Sequence, residues 1–541
     1  RDRIVAAQTL GLAGQTSLER ALARLLDDDD PSVRQAALVA ASTTATLRIL
    51  PRLIDALEFR AFRRAATNAI LSLGNRSIAP LATALGDGNV DAAIRLAIPR
   101  LLWRIGTTQA LSALLDHLDE PDDRVRQKIL ASASRLRLSL GAVPVPLNPI
   151  RARIEREAAA HEHDYNLYLR VRPAIAMVLL DAHVLVRLRK GLIRILRLCE
   201  LVYPREVVAG VRAHVFGKDA SLRANAFEVL ESLLDRQQGA RLLGLFDRYL
   251  ELTRGFPEPK FQPAPGDVPE FVAGELASND PFRAALALDA AATKRLTSCT
   301  EIALRALEHR EPLVREAGAI AVVEMKPEGA TEALNRLLDD PDPTVRSWAI
   351  FWKRTGQSGI EAGDGMYTTI EKVLFLQRVP IFSRISGEEL VGLARSAEVL
   401  TFAKGDVIYK QGDPGGSMYF VISGGVSLSV DGKEVATRSA NEVFGEASVL
   451  DREPRVVTAR ANEAVEALRV SAEDFIAASQ DTVEIALGVL QVLSRKLREA
   501  DRRLSRAEDE VIRLRNLEHG AALTNDVPDA RGSAQIWYDE E

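Results

Sequence analysis

The sequence predicts a multidomain protein in which an all-α superhelix of repeated helices precedes an α+β domain and a C-terminal coiled-coil helix. Three observations predict this order. A helix–turn–helix pattern recurs through residues 1–355. From residue 399 apolar residues alternate, as in strands, between turns rich in Gly and Asp. From residue 483 apolar residues return at spacings of three and four, which is typical of a helix with one apolar seam.

The composition is that of a globular protein with more than one hydrophobic core. Of 541 residues, 47% are hydrophobic and 27% are charged, and the formal net charge is −5. This balance gives no sign of a nucleic-acid partner, which would favour a basic face. The most apolar run, residues 174–180, is too short to cross a bilayer. We therefore expect a cytoplasmic protein with no membrane span in this chain.

The reactive side chains predict neither a metal site nor an enzyme. Cys199 and Cys299 belong to no CxxC or Cys/His pattern, and we expect both to be reduced thiols. His161 and His163 are two residues apart in a predicted helix, so they occupy different faces. The sequence shows no Ser/His/Asp arrangement, no phosphate-binding loop of the P-loop type and no HExxH motif.

The repeat unit consists of a Leu/Ala-rich helix, a short acidic turn with Pro, and an apolar residue followed by Arg that opens the next helix. The clearest copies are residues 22–37 and 334–346, and looser copies lie at 121–126, 219–223, 280–283 and 312–315. Asp in such a turn can accept hydrogen bonds from the free N–H groups of the next helix, and Pro suits the first helical turn. We expect the Arg to reach acidic turns of neighbouring repeats and to couple adjacent units through ion pairs.

This pattern resembles HEAT-type repeats over residues 1–355, with an irregular insertion at 141–173. Arrays of this kind present long surfaces rather than deep clefts. The resemblance implies either that the repeats bind an unidentified protein partner or that they act as a structural spacer. Because Arg1 lies within a segment that looks like the middle of a repeat, we expect the natural chain to continue upstream.

A linker and a small barrel domain are predicted after the repeats. Four glycines between residues 356 and 365 end the helical pattern and indicate the linker. Helices are expected at 369–376 and after Ser386, which can form a capping box with Glu389. Strands are expected at 399–402, 407–409, 417–422, 426–430 and 434–437. Such short strands with glycine turns predict an antiparallel β-barrel or jelly roll.

One segment carries a specific motif. Residues 444–461, FGEASVLDREPRVVTARA, resemble the phosphate-binding cassette of cyclic-nucleotide-binding domains, a family that includes the regulatory subunits of protein kinase A and the catabolite activator protein. The turn at 411–413 and residues 418–420 also match, and we place this domain at residues 366–497. The candidate ligand-binding residues are Phe444, Gly445, Glu446, Ala447, Ser448, Arg455, Val456, Val457 and Thr458.

The resemblance implies a role for each main group of this motif. Arg455 has a planar fork of donors that can meet a cyclic phosphate, and Gly445 lets the backbone approach the ligand. The short helix from Ala447 can direct N–H groups at the phosphate, and Glu446 is placed for the ribose 2′-hydroxyl. The alternatives are a surface ion pair of Arg455 with Glu446 or Asp451, and a degenerate domain that binds no ligand.

Two positions depart from common family patterns. Many members have Gly two residues before the Phe, whereas Glu442 stands there, next to Asn441, which tolerates a left-handed backbone. Members selective for cyclic GMP often have Thr or Ser at the position of Val457, whose side chain offers no hydroxyl. The sequence therefore favours cyclic AMP over cyclic GMP as the ligand, and no metal is expected as a cofactor.

The C-terminal helix has a heptad seam with charged flanks, and we predict a coiled-coil extension at 498–520 and a parallel homodimer. The predicted dimer contacts are Leu490, Leu493, Leu497, Leu504, Val511 and Leu514. The alternative is a helix that packs on its own barrel as far as Leu497 and then frays. We expect residues 521–541 to be a disordered tail.

The sequence supports two functional hypotheses. In the first, cyclic-nucleotide binding to the barrel changes how the repeat array engages a partner. In the second, the chain is the cytosolic regulatory region of a bacterial nucleotide-transporter-like membrane protein, tethered to a membrane domain upstream of residue 1. The absence of a second helix pair after the C-terminal helix argues against a DNA-binding regulator.

Overall fold

The computed structural model describes residues 2–13, 19–44, 46–141, 143–234, 236–257, 263–278, 280–357, 366–383, 385–481 and 485–490, and isolated helical positions from 494 to 511. The chain forms two compact units, Arg1–Ala333 and Leu334–Glu541. None of the helices in these ranges is both long and apolar enough to cross a membrane.

The first unit is built of helices. They are α1 (Asp2–Ala13), α2 (Glu19–Leu26), α3 (Pro31–Thr44), α4 (Leu50–Asp55), α5 (Arg60–Ser72), α6 (Ile78–Gly86), α7 (Ala92–Ile105), α8 (Thr108–Leu115), α9 (Asp123–Leu140), α10 (Leu147–Ile175), α11 (Val178–Val202), α12 (Arg205–His214), α13 (Ala220–Leu233), α14 (Arg236–Arg254), α15 (Asp267–Leu276), α16 (Pro281–Thr293), α17 (Thr300–Ala306) and α18 (Pro312–Met325). Helix α19 (Ala330–Arg336) runs across the division between the units. The repeats predicted from the sequence are therefore helical pairs.

The acidic turns cap the next helix as predicted. The side chain of Asp122 accepts from the backbone N–H groups of Arg124 and Val125, and Asp342 accepts from those of Thr344 and Val345. The same cap occurs at Asp91, Asp219 and Asp280. Each cap satisfies donors that would otherwise lack an intrahelical partner, which fixes where the second helix of a pair begins.

The contacts of the repeat arginines differ in part from the expectation. Arginines of five turns donate to backbone carbonyls five or six residues earlier, in their own turn: Arg63, Arg126, Arg223, Arg315 and Arg346. The predicted ion pairs between repeats occur at Arg95, which lies 2.5 Å from Glu120, and at Arg126, which lies 2.8 Å from Glu157. The arginine thus closes its own turn first, since the orphan carbonyls there need donors.

The stretch predicted as an irregular insertion at 141–173 is mostly the 29-residue helix α10, which packs along the 25-residue helix α11. Both helices are about twice as long as their neighbours, and buried polar residues lie between them. Glu157 and His161 of α10 are 2% and 4% exposed. Burial lowers the pKa of His161 to about 4, so the imidazole is neutral at pH 7.

The second unit contains the last repeat helix and the barrel domain. Its helices are α20 (Pro343–Thr355), α21 (Thr369–Arg378), α22 (Gly387–Ser396), α23 (Glu446–Leu450) and α24 (Ala472–Asp481). Its strands are β1 (Glu398–Phe402), β2 (Val407–Tyr409), β3 (Ser417–Ser423), β4 (Val426–Val430), β5 (Lys433–Arg438), β6 (Val443–Phe444), β7 (Thr458–Ala461) and β8 (Val465–Ser471). The capping box of Ser386 with Glu389 is confirmed, and Thr368 forms a second one with Glu371.

The eight strands form two four-stranded antiparallel sheets, in the orders β1-β8-β3-β6 and β2-β7-β4-β5. This is the jelly-roll arrangement predicted from the sequence, and all five predicted strands are present. Strands β6, β7 and β8 were not predicted, although β8 lies between β1 and β3 and β7 lies between β2 and β4. The inner faces enclose a core that includes Tyr409, Tyr419 and Phe444.

The compact second unit begins at Leu334, before the linker predicted at 356–365, most of which lies outside the described residues. Helix α20 therefore shares a unit with the barrel. Arg395, at the end of α22, forms an ion pair with Asp342, the residue that caps α20. The last turn of the repeat pattern is thus attached directly to the helices that flank the barrel.

Candidate functional site

Gly445 shapes the site through its backbone. It has φ 76°, in the left-handed region, and it ends β6 and begins α23. A Cβ atom at this position would lie 2.6 Å from Nη1 of Arg455 and 3.3 Å from the carbonyl oxygen of Ser417. Only glycine allows this turn and this close approach of the arginine, which explains the Phe-Gly-Glu sequence physically.

Arg455 is the centre of the site and is only 4% exposed. Its Nη1 donates to the carbonyl of Gly445 at 2.9 Å, and its Nη2 donates to the carbonyl of Ser417 at 2.6 Å. Its Nε is buried and has no hydrogen-bond partner among the described residues. This burial contradicts the alternative of a surface ion pair. The arginine is instead held by neutral carbonyls, which position the guanidinium without neutralising it.

Aromatic rings pack against the guanidinium of Arg455. The Cζ atom of Arg455 lies 4.1 Å from the ring centroid of Tyr409 and 5.9 Å from that of Tyr419. Tyr419 stacks on Phe444 with centroids 5.1 Å apart and an interplanar angle of 12°. Burial raises the pKa of Tyr409 to about 12, although the Arg455 charge opposes this shift, so the phenol stays neutral at pH 7. These contacts pack Arg455 together with the rings of Tyr409, Tyr419 and Phe444.

The loop before β3 packs against the short helix. A Cβ atom on Gly415 would lie 2.1 Å from Cβ of Ser448 and 2.7 Å from the carbonyl of Glu453. Thr458 accepts a hydrogen bond from the backbone N–H of Gln411 at 2.9 Å. Residues 411–416 are thereby fixed beside α23 and the strand that follows Arg455.

The remaining predicted residues take different positions around this group. Ser448 is buried, Ala447 is exposed and Glu446 is partly exposed at the start of α23. Val456 is 61% exposed, whereas Val457 packs against the barrel core. Asn441, next to Glu442, has φ 67°, so it adopts the left-handed backbone that asparagine tolerates.

Sequence reasoning missed three contributors to the site: Tyr409, Gly415 and the carbonyl of Ser417. Tyr409 lies 46 positions before Arg455, and only the pairing of β2 with β7 brings them together. The adjacent glycines at 415 and 416 were a visible signal for a close approach. A backbone carbonyl leaves no signal in the sequence.

The predicted dimer contacts are only partly described. Leu490, Leu504 and Val511 are 59%, 61% and 52% exposed, and Leu493, Leu497 and Leu514 lie outside the described residues. The helical segment 485–490 packs on its own domain through Ile485 and Val489. A Cβ atom on Gly488 would lie 2.4 Å from the carbonyl of Ile381, which indicates close contact on that side.

Similarities to known proteins agree with both units. A family model of cyclic nucleotide-binding domains matches residues 399–482, and one of HEAT repeats matches residues 50–134 and 272–351. A CRP-like cAMP-activated global transcriptional regulator of Mycobacterium tuberculosis is 28% identical over 135 residues, 24% of this chain and 60% of that protein. A cAMP-dependent protein kinase regulatory subunit of Debaryomyces hansenii is 38% identical over 92 residues, 17% of this chain and 20% of that protein.

Among solved structures, the catabolite activator protein of Thermus thermophilus is 33% identical, with a TM-score of 0.22 over 23% of this chain and 62% of that one. The chain thus spans less than two thirds of these relatives. The matched segment contains β1 from its second residue, strands β2 to β8, α23 and the arginine group described above. Residues 399–482 belong to the cyclic nucleotide-binding domain family, and in this chain they follow an array of HEAT repeats.

Proposed function

We propose that this chain is a non-catalytic sensor of cyclic AMP, in which ligand binding to the barrel changes how the helical repeats engage a protein partner. The single observation on which the proposal rests is the burial of Arg455 and the contacts that hold its side chain. Its guanidinium is buried, and two backbone carbonyls and an aromatic ring hold it in place. A buried charge kept in this state is suited to receive an anion.

The surrounding groups suit a cyclic phosphate in particular. One negative charge on the ligand would complement the one positive charge of Arg455, and a planar fork can meet two phosphate oxygens. Glu446, at the first position of α23, would accept a hydrogen bond from a ribose hydroxyl. Ala447 and Val456, on either side of this group in the sequence, are exposed, so a ligand would reach it from solvent on their side.

The preference for cyclic AMP rests on Val457 and on the relatives. Val457 packs against the barrel core and cannot donate to a guanine base. The relatives from Mycobacterium tuberculosis and Debaryomyces hansenii are named for activation by, or dependence on, cAMP. A pocket without a hydroxyl at this position should bind cyclic AMP at least as tightly as cyclic GMP.

The link from ligand to repeats would pass through the flanking helices. Arg395 of α22 pairs with Asp342, the cap of α20, within the second unit. A change in the position of α22 on ligand binding would therefore act on the last turn of the repeat pattern. Binding alone does not suffice, because the ligand must favour one of two arrangements to change the partner affinity.

Calorimetry with cyclic AMP and cyclic GMP tests the proposed ligand. Wild type should bind cyclic AMP more tightly, and Arg455→Gln should lose measurable binding while it retains the far-ultraviolet circular dichroism of the wild type. Arg452→Ala is the matched control, because it removes a positive charge three residues away at an exposed position. Equal affinity of wild type and Arg455→Gln would overturn the proposal, and tighter binding of cyclic GMP would overturn the preference.

A further inference from the structure

Five arginines lie in the region where the C-terminal parts of α9 and α11 and helix α12 come together. Arg135 and Arg137 belong to α9, Arg197 to α11, and Arg205 and Arg212 to α12. We call these five residues the arginine cluster. They lie in the first unit, more than 180 positions before the barrel in the sequence, and nothing in the nucleotide site uses them.

The cluster contains far more positive than negative charge. Glu200 is the only carboxylate within ion-pair distance of the five arginines among the described residues, and Arg212 binds it at 2.7 Å. The Glu200 side chain is 1% exposed and also accepts a hydrogen bond from Ser134. Arg205 turns its Nε towards the same serine, at 3.4 Å. Four positive charges therefore remain without a carboxylate.

Among these arginines, Arg197 has the fewest groups that compensate its charge. Its Nε is buried with no hydrogen-bond partner in the described part of the chain. Burial, together with the charges of Arg212 and Arg135, lowers the pKa of Arg197, while Glu200 only partly compensates. A partly buried cation beside like charges costs stability unless an anion joins it, so a structural role alone does not explain the arrangement.

The exposed edge of the cluster has the form of a binding surface. Arg135 is exposed, and its Cζ lies 5.5 Å from the ring centroid of Trp103 on α7. The indole attracts the guanidinium at this distance, and the Arg135 side chain is exposed to solvent. Arg137 is fixed by a hydrogen bond to the carbonyl of Leu201, which joins the ends of α9 and α11. The side chain of Arg137 is thus held by a contact within its own unit.

We propose that the arginine cluster binds an acidic segment of a protein partner through the carboxylates of consecutive Asp or Glu residues. About four uncompensated arginines match a short acidic peptide, in which each carboxylate can take a two-pronged contact. A nucleic acid is less suited, because it needs a longer basic track and this chain has a net charge of −5. This inference specifies the partner-engaging half of the proposed function and does not depend on nucleotide binding.

Fluorescence anisotropy with a labelled hexaglutamate peptide tests the cluster in the full chain. The wild type should bind the peptide, and raising the salt from 50 to 200 mM should weaken binding because the contact is ionic. The double variant Arg135→Gln/Arg197→Gln should bind at least tenfold more weakly, which corresponds to about 1.4 kcal/mol. Arg135→Gln alone changes an exposed position, and it should show part of this loss with the circular dichroism of the wild type.

Arg305→Gln is the matched control, since it removes one exposed arginine from α17 of the same unit. It should bind the peptide within twofold of the wild type. An equal affinity in all variants would overturn the proposal, as would tighter binding of a 12-nucleotide single strand than of the peptide. Cyclic AMP affinity is measured in the same samples, and it should be unchanged by the cluster variants, so failure of one proposal is distinguishable from failure of the other.

Discussion

Gly445 connects the backbone of the site to the position of its arginine. Replacing it with Ala adds a Cβ atom 2.6 Å from Nη1 of Arg455 at a residue with φ 76°. The left-handed backbone alone costs about 1–2 kcal/mol for a residue with a Cβ atom. We expect Gly445→Ala to lower the stability of the barrel by this amount and to reduce cyclic AMP affinity at least tenfold, as measured by thermal unfolding and calorimetry.

Gly392→Ala provides the comparison for that variant. Gly392 is exposed within α22, and an added Cβ atom would meet nothing within 4 Å. Alanine at such a helical position should increase stability by about 0.5–1 kcal/mol and leave ligand affinity unchanged. If Gly445→Ala behaved in the same way, the proposed contact between the turn and the arginine would be wrong.

Tyr409 is expected to be a positioning residue that acts on the ligand through Arg455. The guanidinium lies 4.1 Å above its ring, a contact that contributes about 0.5–2 kcal/mol in proteins. Tyr409→Leu should therefore weaken cyclic AMP binding by about twofold to thirtyfold in calorimetry, whereas Tyr409→Phe should keep the affinity of the wild type because the ring remains. A purely structural role predicts instead that both variants change the unfolding temperature and that neither changes affinity.

At the residue scale, the sequence predicted those site residues that belong to one short motif. Gly445, Glu446 and Arg455 lie within twelve consecutive positions, so their spacing alone identified them. Tyr409 and Gly415 could not be assigned in this way, because they reach the site only after strands distant in sequence have paired. The stacking of Tyr419 on Phe444 has the same origin.

At the element scale, the turn between repeat helices combines capping with charge. The Asp280 side chain accepts from the N–H groups of Phe282 and Arg283 at 3.1 Å, and it lies 3.7 Å from Nε2 of His183. Burial would raise the pKa of Asp280, but the nearby His183 imidazole and the capping N–H groups lower this pKa to about 2. The folded state therefore favours the ionised carboxylate.

This pKa predicts the pH dependence of α16. A carboxylate whose pKa falls on folding contributes stability above its ordinary value of 3.8, and that contribution is lost as the pH falls towards 2. Asp280→Asn keeps a capping oxygen but loses the charge. We expect it to reduce the protection of the α16 amides in hydrogen exchange by about 2 kcal/mol at pH 7, with the difference from the wild type vanishing near pH 2. A difference that stays constant with pH would contradict the assignment.

Helices and strands could be predicted where a short stretch of sequence carries their pattern. Acidic turns with Pro identified the helix pairs, and alternation identified strands β1 to β5. Strands β7 and β8 were missed because β7 begins inside the ligand motif, at Thr458, and β8 was not separated from it by a strong turn signal. Both are central strands, so their place depends on neighbours on each side rather than on their own pattern.

At the scale of the whole molecule, the C-terminal helix is the predicted dimer contact, and its exposed residues bear on whether the chain is a monomer or a dimer. Segment 485–490 buries Ile485 and Val489 against its own domain, while Leu490 is 59% exposed on another side. Leu504 and Val511 follow Leu490 at multiples of seven residues and are exposed as well. Exposed leucines in one heptad register are the pattern that two parallel helices bury together.

We therefore expect the chain to sediment as a dimer, at twice the monomer mass of 59.1 kDa. Leu490→Asp/Leu504→Asp places charges in the predicted seam and should give the monomer mass, because an unpaired carboxylate cannot be buried between the helices. Leu487→Asp is the matched control, since Leu487 is 50% exposed but lies off the seam, and it should remain dimeric. A monomer mass for the wild type would show that the helix serves only its own barrel, and the nucleotide signal would then have to reach the repeats within a single chain.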